Sequence, residues 1–333
     1  EDLKESFTQL IPGKKILIRG MDFIYNPSIT REIKRFLPDI VIIAGSWTYP
    51  TVWKLLCGRR NNNVRYFFWV ESHERRAMKA KSSNKCVSAF KKYLYMKFDG
   101  YCLPGIYAEE AMDHFVGNHG QRLRLPNLVD DVSYQHAISK RKDTYELRLK
   151  YGIPAKKRVF FCPARLLKLK GLDLFLKSAG KVKGISNACF LLAGEGPMKK
   201  ELQDIADKEN LDVHFMGYCN QDTVIEFYAL SDFFFLPSLQ DCNPLSAIEA
   251  AFAGLPLCVS IYTGNSPELI QPYKNGVVFD ILDTEEVQAC IYFLLNASEE
   301  WVSNAGRESV AIAQNSFACI NETKKFLAQL REG

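Results

Sequence analysis

The residues best suited to chemistry lie in the stretch LPSLQDCNPLSAIEAAFAGLP, residues 236–256. An apolar run, Phe233–Leu236, ends where a polar loop begins, and an Ala-rich helix is predicted to follow. Asn243 is a favourable N-cap and Pro244 suits the first turn, so the helix is expected to begin there and to end at Gly254. Unpaired N–H groups at such a helix start bind anions, which predicts a phosphate site at the end of the strand.

Two carboxylates flank this helix start, with Asp241 in the loop and Glu249 within the helix. Glu249 stands beside the apolar Ala250 and Ala251, so its carboxylate should face a cleft or a partner. A ribose diol, which donates two hydroxyl hydrogens, suits it, and Asp241 could accept hydrogen bonds from a further sugar. Ordinary surface acids near a helix dipole explain the two carboxylates equally well when they are considered alone.

Two further loops follow apolar runs of the second half. In ARLLKLKG, residues 164–171, the Arg165 guanidinium can bind phosphate oxygens in a bidentate manner and Lys170 adds a point charge. A solvated basic loop is the better explanation of that spacing in isolation. In GEGP, Gly194 lets the backbone approach a ligand, although a tight strand-to-helix turn explains the pattern equally well.

These loops need a scaffold that brings strand ends together. Short apolar runs alternate with helical stretches in both halves of the 333-residue chain, which indicates parallel sheets covered on both faces. The runs lie at residues 14–20, 39–45, 64–70, 100–105, 159–164, 188–194, 212–217, 232–237 and 256–260. We therefore predict an α/β fold of two doubly wound domains facing each other, with a site at the carboxyl ends of the strands.

The predicted domain organisation has three parts. An N-terminal domain spans residues 1–145, a C-terminal domain spans 155–315, and a tail helix over 316–333 returns to the N-terminal domain. The charged segment 138–158 is interpreted as the connection between the domains.

Composition narrows the class of protein. Ten cysteines are scattered singly, without a CxxC pair or a Cys/His cluster at metal-ligand spacing, which favours a reduced cytoplasmic protein without a zinc site. No apolar run approaches the ~18 residues of a membrane span, and no signal peptide opens the chain. The chain begins at Glu1 rather than Met, so a preceding segment is expected to be missing.

Charge is unevenly distributed along the chain. Residues 1–150 hold 26 Lys and Arg against 16 Asp and Glu, whereas the remainder holds 17 against 22. A basic first half suggests a polyanion, an acidic membrane surface or a charged substrate; a solvated basic surface is an equal alternative. Nucleic acid is the less favoured partner, because no recognisable reading module accompanies the charge.

Taken in order, these segments resemble the family 4 glycosyltransferases, the glycosyl transferases group 1 proteins of the GT-B fold. That family carries a G-R-x4-K-G loop, a G-x-G-P turn and an E-x7-E stretch followed by A-x-A-x-G-x-P; the corresponding segments here are ARLLKLKG, GEGP and DCNPLSAIEAAFAGLP. Similar segments are MGY (216–218), YALSDFFFLPS (228–238), GNSPELI (264–270) and KNGVVFD (274–280). The resemblance covers residues 155–320 and thins in the first half to FFWVESH (67–73) and RLPNLVD (124–130).

The resemblance implies two Rossmann-like domains around a central cleft and a retaining, metal-independent hexosyl transfer from a nucleotide-diphosphate sugar. UDP or GDP is the expected nucleotide, and no cofactor is expected. Arg165 and Lys170 would stabilise the diphosphate leaving group, Glu249 would bind the ribose, and Asp241 the donor sugar. The remaining donor-site positions are Gly194, Gly217, Tyr218, Asn243, Pro244 and Leu245. His73 matches the cleft histidine of the family and completes the catalytic set with Arg165, Lys170 and Asp241. The acceptor-side candidates are Gly45, Ser46, Trp47 and Glu71.

Two departures from the family leave alternatives open. Asp241 stands where the family usually has Glu, and the family's first strand with its glycine-rich loop is not visible. Our main hypothesis is a glycosyltransferase acting on a glycan or lipid-linked acceptor in surface polysaccharide or glycolipid biosynthesis. Its basic clusters, Arg75-Arg76-Lys79-Lys81 and Lys91-Lys92-Lys97, would bind the inner face of the membrane peripherally. The alternatives are a non-catalytic nucleotide-sugar-binding subunit that supports a partner enzyme, and a GT-B epimerase.

Overall fold

A computed structural model of the chain describes residues 11–18, 21–58, 63–71 and 85–332. The described strands are β1 Lys14–Ile18, β2 Met21–Tyr25, β3 Ile40–Ala44, β4 Arg65–Trp69, β5 Gly100–Leu103, β6 Gln121–Arg124, β7 Arg158–Pro163, β8 Ala188–Ala193, β9 Val213–Gly217, β10 Phe233–Leu236, β11 Leu257–Ser260 and β12 Gly276–Phe279. The described α-helices are α1 Ile29–Phe36, α2 Pro50–Cys57, α3 Lys85–Tyr95, α4 Ile106–Val116, α5 Asp131–Lys140, α6 Thr144–Lys150, α7 Leu172–Ala179, α8 Lys199–Lys208, α9 Gln221–Leu230, α10 Leu245–Phe252, α11 Ser266–Leu269, α12 Thr284–Leu295, α13 Glu299–Phe317 and α14 Cys319–Glu332.

The second half of the chain forms a six-stranded parallel sheet in the order β12-β11-β10-β7-β8-β9. From β7 the chain adds β8 and β9 on one side, then crosses to add β10, β11 and β12 on the other. This is the doubly wound order, in which the crevice opens where the two directions part, between β7 and β10. Central strands of this kind are buried on both faces, and every residue of β8, β10 and β11 is buried.

The first half forms a four-stranded parallel sheet in the order β3-β4-β5-β6. Its strands are added in one direction, as in one half of a doubly wound sheet. An aromatic cluster packs against it, in which the Phe68 ring lies 5.3 Å from Tyr95 and 5.0 Å from Phe98. The carboxyl ends of β3 and β4 carry the loops that begin at Gly45 and Val70.

The first predicted strand lies elsewhere. The apolar run beginning at Lys14 forms β1, which pairs antiparallel with β2 in a separate two-stranded sheet. The prediction that this run joins the parallel sheet is wrong, because only two residues separate Ile18 from Met21 and so short a connection permits only antiparallel pairing. Strands β2, β6 and β12 were not among the predicted strands.

The connection between the two sheets packs on the second one. Helix α5 contacts α9 and α10, and α6 contacts α9, although the predicted boundary at residue 145 assigns α5 to the first domain. The Arg148 guanidinium of α6 is buried, where it donates to the Leu230 carbonyl at 2.9 Å and pairs with Asp232 at 2.9 Å. The crossing from one domain to the other therefore ends at the start of α5.

The chain returns to the first domain at its end. Helix α13 packs on α10, and α14 packs on the edge strand β6. There Phe326 joins a buried cluster with Phe67 and Leu123, and Arg124 pairs with the buried Glu322 at 3.3 Å. Among the helices that the structure describes, none is long and apolar enough to cross a membrane.

Candidate functional site

The centre of the candidate site is the contact between the Lys170 ammonium and the Asp241 carboxylate. Lys170 ends the loop after β7 and Asp241 lies in the loop after β10, so the pair bridges the switch point of the second sheet. The two loops pack closely: Gly171 has φ +64°, and a Cβ there would lie 2.1 Å from the Pro237 carbonyl oxygen. Only glycine fits that contact, which holds the lysine beside the carboxylate.

The backbone around Asp241 is fixed by the neighbouring loop. The Asp241 N–H donates to the Tyr262 carbonyl at 3.1 Å, and the Gly264 N–H donates to the Asp241 carbonyl at 2.8 Å. Three successive strand-end loops, after β7, β10 and β11, therefore meet at this carboxylate. These backbone hydrogen bonds fix the position of Asp241.

Helix α10 begins one residue later than predicted. Pro244, rather than Asn243, is the N-cap residue, and the helix runs from Leu245 to Phe252. The proline ring fixes φ at −66° while ψ is 123°, an extended conformation that delays the helix. The Asn243 side chain caps nothing, whereas the backbone carbonyl oxygen of Asn243 accepts a hydrogen bond of 3.2 Å from the Asn127 side chain of the first domain. The prediction of Asn243 as the N-cap is therefore wrong.

Several buried polar atoms around these loops have no hydrogen-bond partner in the described part of the chain. They are Ser238 Oγ, Thr263 Oγ1, Asn265 Oδ1, and both Oδ1 and Nδ2 of Asn243. A buried polar group without a partner costs about 1–3 kcal/mol, so such groups are normally satisfied by water or a ligand. The strand-end loops thus present donors and acceptors suited to a hydroxyl-rich ligand.

Glu249 lies half-buried about one turn into α10, where its Oε2 accepts a hydrogen bond of 3.0 Å from the Tyr228 hydroxyl. Burial raises the pKa of this carboxyl above its usual range, while the Tyr228 and Tyr134 hydroxyls act in the opposite direction. A carboxylate has about four acceptor positions. Glu249 therefore retains acceptor capacity for a ligand after Tyr228 has bound.

The other predicted donor-site residues lie at the same edge of the sheet. Gly194 has φ +152°, and a Cβ there would lie 2.0 Å from the Ala164 carbonyl oxygen, so the loops after β7 and β8 are in direct contact. Arg165 follows in the first of these loops with an exposed side chain. Tyr218, directly after Gly217 at the end of β9, is 88% exposed, which leaves its ring open to stack on a planar group.

The acceptor-side candidates lie at the carboxyl edge of the first sheet. Gly45 follows β3 with φ +126°, the Ser46 hydroxyl lies 2.6 Å from that of Thr48, and the Trp47 carbonyl accepts from the Trp53 indole at 2.7 Å. These contacts make the loop a compact turn. Glu71 is exposed after β4, at the same edge of the sheet. His73 lies outside the described residues, and so does the cluster Arg75-Arg76-Lys79-Lys81.

A functional candidate that the sequence did not reveal is Glu268 in α11. Its Oε1 accepts a hydrogen bond of 2.5 Å from the backbone N–H of Ile106, at the start of the first-domain helix α4. Burial raises the pKa of this carboxyl, and its other oxygen is buried without a partner among the described residues. The only signal in the sequence was the position of Glu268 within GNSPELI, one of the segments similar to the family.

The structure also brings together three side chains of metal-ligand type away from the cleft. Cys189, Asp212 and His214 place their ligand atoms within 4.8 Å of one another; among the described residues this is the one such group. They lie at the amino ends of β8 and β9, opposite the strand-end loops. The Lys157 ammonium already pairs with Asp212 at 2.9 Å, so a protein cation occupies one of the three possible metal ligands.

Comparison with known proteins matches the second domain to one family. Residues 143–308 match the glycosyl transferases group 1 family. A GDP-mannose-dependent monoacylated alpha-(1-6)-phosphatidylinositol monomannoside mannosyltransferase of Corynebacterium glutamicum is 26% identical over 54% of this chain and 48% of its own length. This chain spans between 29% and 61% of the length of the curated relatives it matches.

Solved structures match nearly the whole chain. Sucrose-phosphate synthase from Thermosynechococcus elongatus is similar with a TM-score of 0.76 at 16% identity, covering 91% of this chain and 76% of that one. Anabaena HepE, solved with UDP and glucose, is similar with a TM-score of 0.72 at 15% identity, covering 92% and 82%. At these identities the likeness concerns the fold, and it confirms the predicted α/β GT-B architecture. The chain therefore belongs, through residues 143–308, to the glycosyl transferases group 1 family, and it has the GT-B fold.

Proposed function

We propose that this protein is a metal-independent, retaining glycosyltransferase that moves a sugar from a nucleotide-diphosphate sugar to a glycan or a lipid-linked acceptor. The observation that carries the proposal is the Lys170–Asp241 contact at the switch point, near buried polar atoms that have no partner among the described residues. A sugar diphosphate matches this arrangement, because it offers phosphate oxygens to the lysine and hydroxyls to the carboxylate.

Each residue then has a defined role in the transfer. Lys170 and the exposed Arg165 stabilise the charge that develops on the departing diphosphate, which lowers the barrier to breaking the glycosidic bond. Asp241 accepts hydrogen bonds from hydroxyls of the sugar, and Glu249 accepts from the ribose. The backbone at Leu245, where α10 starts, adds N–H groups for phosphate or sugar oxygens.

The nucleotide base would lie near Gly217 and Tyr218, where an exposed aromatic ring is available for stacking. UDP and GDP are the nucleotides proposed. The acceptor would enter from the first sheet, past the turn at Ser46 and Trp47 and the exposed Glu71.

An exposed face of α3 supports a lipid-linked acceptor. Val87, Phe90 and Tyr93 are 46%, 40% and 53% exposed and recur at three-residue intervals along one side of the helix. Lys91 and Lys92 lie among them. Apolar side chains interleaved with lysines suit the interface of an anionic membrane, so peripheral association on its inner face is part of the proposal. A phospholipid-linked acceptor is also named for the mannosyltransferase of Corynebacterium glutamicum. Surface polysaccharide or glycolipid biosynthesis is the corresponding process.

The experiment that tests the donor site is calorimetric titration with UDP, GDP and ADP. Wild-type protein is compared with Glu249→Ala and with Glu300→Ala, which removes an exposed acid outside the site. Loss of a hydrogen bond to a charged group costs about 1.5–3 kcal/mol, so Glu249→Ala should weaken the preferred nucleotide roughly 10- to 150-fold. Equal affinities in all three proteins would contradict the assignment of Glu249.

A non-catalytic nucleotide-sugar-binding subunit is the second candidate, favoured by the aspartate at position 241 in place of the family's glutamate. The two functions separate when a labelled nucleotide sugar is incubated with candidate acceptors. Release of nucleotide together with labelled acceptor supports the transferase. Nucleotide binding without release supports the subunit.

A further inference from the structure

The environment of Glu249 contains two tyrosine hydroxyls that the proposed reaction does not yet use. Tyr228, from α9, is fully buried and directs its hydroxyl at Glu249 Oε2, 3.0 Å away, and at the Ser246 carbonyl oxygen, 3.1 Å away. A hydroxyl has a single proton, and a bond to an ionised acceptor is roughly twice as strong as a neutral one. Tyr228 therefore donates its hydrogen bond to the Glu249 carboxylate rather than to the Ser246 carbonyl oxygen.

The second tyrosine comes from a different element. Tyr134 lies in α5, at the crossing between the domains, and only 8% of it is exposed. Its ring packs edge-to-face on Tyr228, with centroids 5.8 Å apart and planes at 83°, which brings its hydroxyl near enough to Glu249 to act on the pKa of that carboxyl. Phenylalanine would satisfy the ring packing equally well, so the two hydroxyls need a separate explanation.

That explanation follows from the number of acceptor positions on a carboxylate. Of about four such positions, the Tyr228 hydrogen bond occupies one, and at least two remain even if the nearby Tyr134 hydroxyl donates to another. Two is the number of hydrogens that a ribose diol donates. The terminal torsion of a glutamate has a broad energy profile, so an unsupported carboxylate would turn freely between orientations.

We propose that Tyr228 and Tyr134 are positioning residues that orient the Glu249 carboxylate toward a ribose diol and thereby give the protein its preference for ribonucleotide over deoxyribonucleotide diphosphates. This inference rests on the proposed donor site and adds to it the two tyrosines that let the protein distinguish ribose from deoxyribose in the nucleotide. Tyr228 contacts the carboxylate and Tyr134 packs on Tyr228, so the effect of either tyrosine on the ligand must pass through Glu249.

The test is titration of the best-bound nucleoside diphosphate and of its 2′-deoxy analogue into wild type, Tyr228→Phe and Tyr134→Phe. The matched control is Tyr151→Phe, because the Tyr151 hydroxyl also donates to a glutamate of the same domain, Glu226, at 2.5 Å, but away from the cleft. The readout is the ratio of the two dissociation constants, deoxy over ribo, which a general loss of stability does not change.

The wild type should prefer the ribonucleotide by about 10-fold or more, the value of one hydrogen bond to a charged group. Each site variant should lower that ratio at least threefold, mainly by weakening the ribonucleotide, whereas Tyr151→Phe should leave it unchanged. In a Glu249→Gln background, Tyr228→Phe should have little further effect on the ratio. Two variants on two helices keep the test valid if one of them folds poorly.

Two outcomes overturn the inference separately from the proposed function. If both nucleotides weaken equally in Tyr228→Phe and Tyr134→Phe, the hydroxyls serve stability and not ribose recognition. If the wild type binds both nucleotides with equal affinity, Glu249 does not recognise the ribose diol. Absence of binding by UDP, GDP and ADP in the wild type would instead overturn the proposed donor site, and this inference with it.

Discussion

The Glu268 carboxylate of the second domain accepts a 2.5 Å hydrogen bond from the backbone N–H of Ile106 in the first domain. Ile106 begins α4, and the N-cap position is Gly105, which has no side chain to satisfy the helix start. A Cβ on Gly105 would lie 2.5 Å from Glu268 Oε1, so glycine leaves room for the carboxylate. An acid at a helix N-terminus is stabilising, and Glu268 of the second domain caps α4 of the first domain in this way.

Removal of this contact should favour a more open arrangement of the domains. Loss of a capping side chain costs about 0.5–2 kcal/mol, which corresponds to a roughly 2- to 30-fold change in the open-to-closed ratio. We expect Glu268→Ala to have a larger radius of gyration than wild type in small-angle X-ray scattering without nucleotide. Glu308→Ala is the control, because Glu308 pairs with Lys274 within the second domain. Identical radii for all three proteins would contradict a role for Glu268 in holding the domains together.

Lys170 should affect turnover more than any other lysine of the second domain. Its ammonium is held against Asp241 at the switch point, where the proposed diphosphate leaves. Removal of one group that stabilises developing charge typically lowers kcat by about 10²–10³, and we expect that loss for Lys170→Ala. Lys200→Ala provides the control, since Lys200 is 82% exposed and pairs with Asp204 on its own helix. A steady-state assay of nucleotide release measures both, and similar rates in the two variants would argue against the assignment.

The candidate loops could be predicted from the sequence because their signals are local. An apolar run followed by a polar loop and an Ala-rich segment predicts a strand, a turn and a helix, and β10 and α10 are found there. The carboxyl ends of parallel strands share one edge of a sheet, so residues as far apart as Lys170 and Asp241 could be expected together.

The remaining features could not be predicted because they depend on tertiary contacts. The segment Gln121–Arg124 carries two arginines and a single buried residue, Leu123, yet it forms β6. Two of its polar side chains bind α14: Gln121 donates to the Gln329 carbonyl at 3.0 Å, and Arg124 pairs with Glu322. Arg122 instead pairs with Asp113 of α4 at 3.2 Å. Likewise, Glu268 and Ile106 lie 162 positions apart, and no sequence spacing relates a capping acid to a helix in another domain.

The raised pKa of Glu249 predicts that its carboxylate lowers the stability of the folded protein at neutral pH, although it contributes to the proposed nucleotide binding. The folded protein holds the carboxyl proton more tightly than the unfolded chain does, because burial disfavours the charged form. Stability is therefore lost as the pH rises from the ordinary carboxyl range through the raised pKa. We expect the uncharged Glu249→Gln to melt about 2 °C above wild type at pH 7.5, and this gain to disappear near pH 4. Thermal unfolding at both pH values measures the difference.

Glu249→Gln should bind nucleotide at least about 10-fold more weakly than wild type. This is expected where a destabilising group is retained because it is needed for binding. Calorimetry at pH 7.5 provides that comparison. A Glu249→Gln protein that is less stable than wild type at pH 7.5 would show that the carboxylate contributes to folding, and it would remove the argument for a binding role based on its burial.

The tail helix should contribute to stability through one side of its surface. Phe326 is 7% exposed and packs with Phe67 and Leu123 on the first sheet, while its neighbour Leu327 is 43% exposed on the same helix. A buried Phe-to-Ala change costs about 3–5 kcal/mol, so Phe326→Ala should unfold at a clearly lower denaturant concentration. Leu327→Ala should remain within about 1 kcal/mol of wild type.

Urea unfolding of the two variants separates packing on the first domain from helix formation itself, since both changes introduce alanine and neither weakens helix propensity. Helix α13, which precedes this tail, packs on α10 of the second domain, so α14 joins the two domains covalently and by contact. We therefore expect Phe326→Ala also to make the unfolding transition less cooperative, with a lower m-value than Leu327→Ala. Equal midpoints for both variants would mean that the contact between α14 and β6 contributes little to the pairing of the domains.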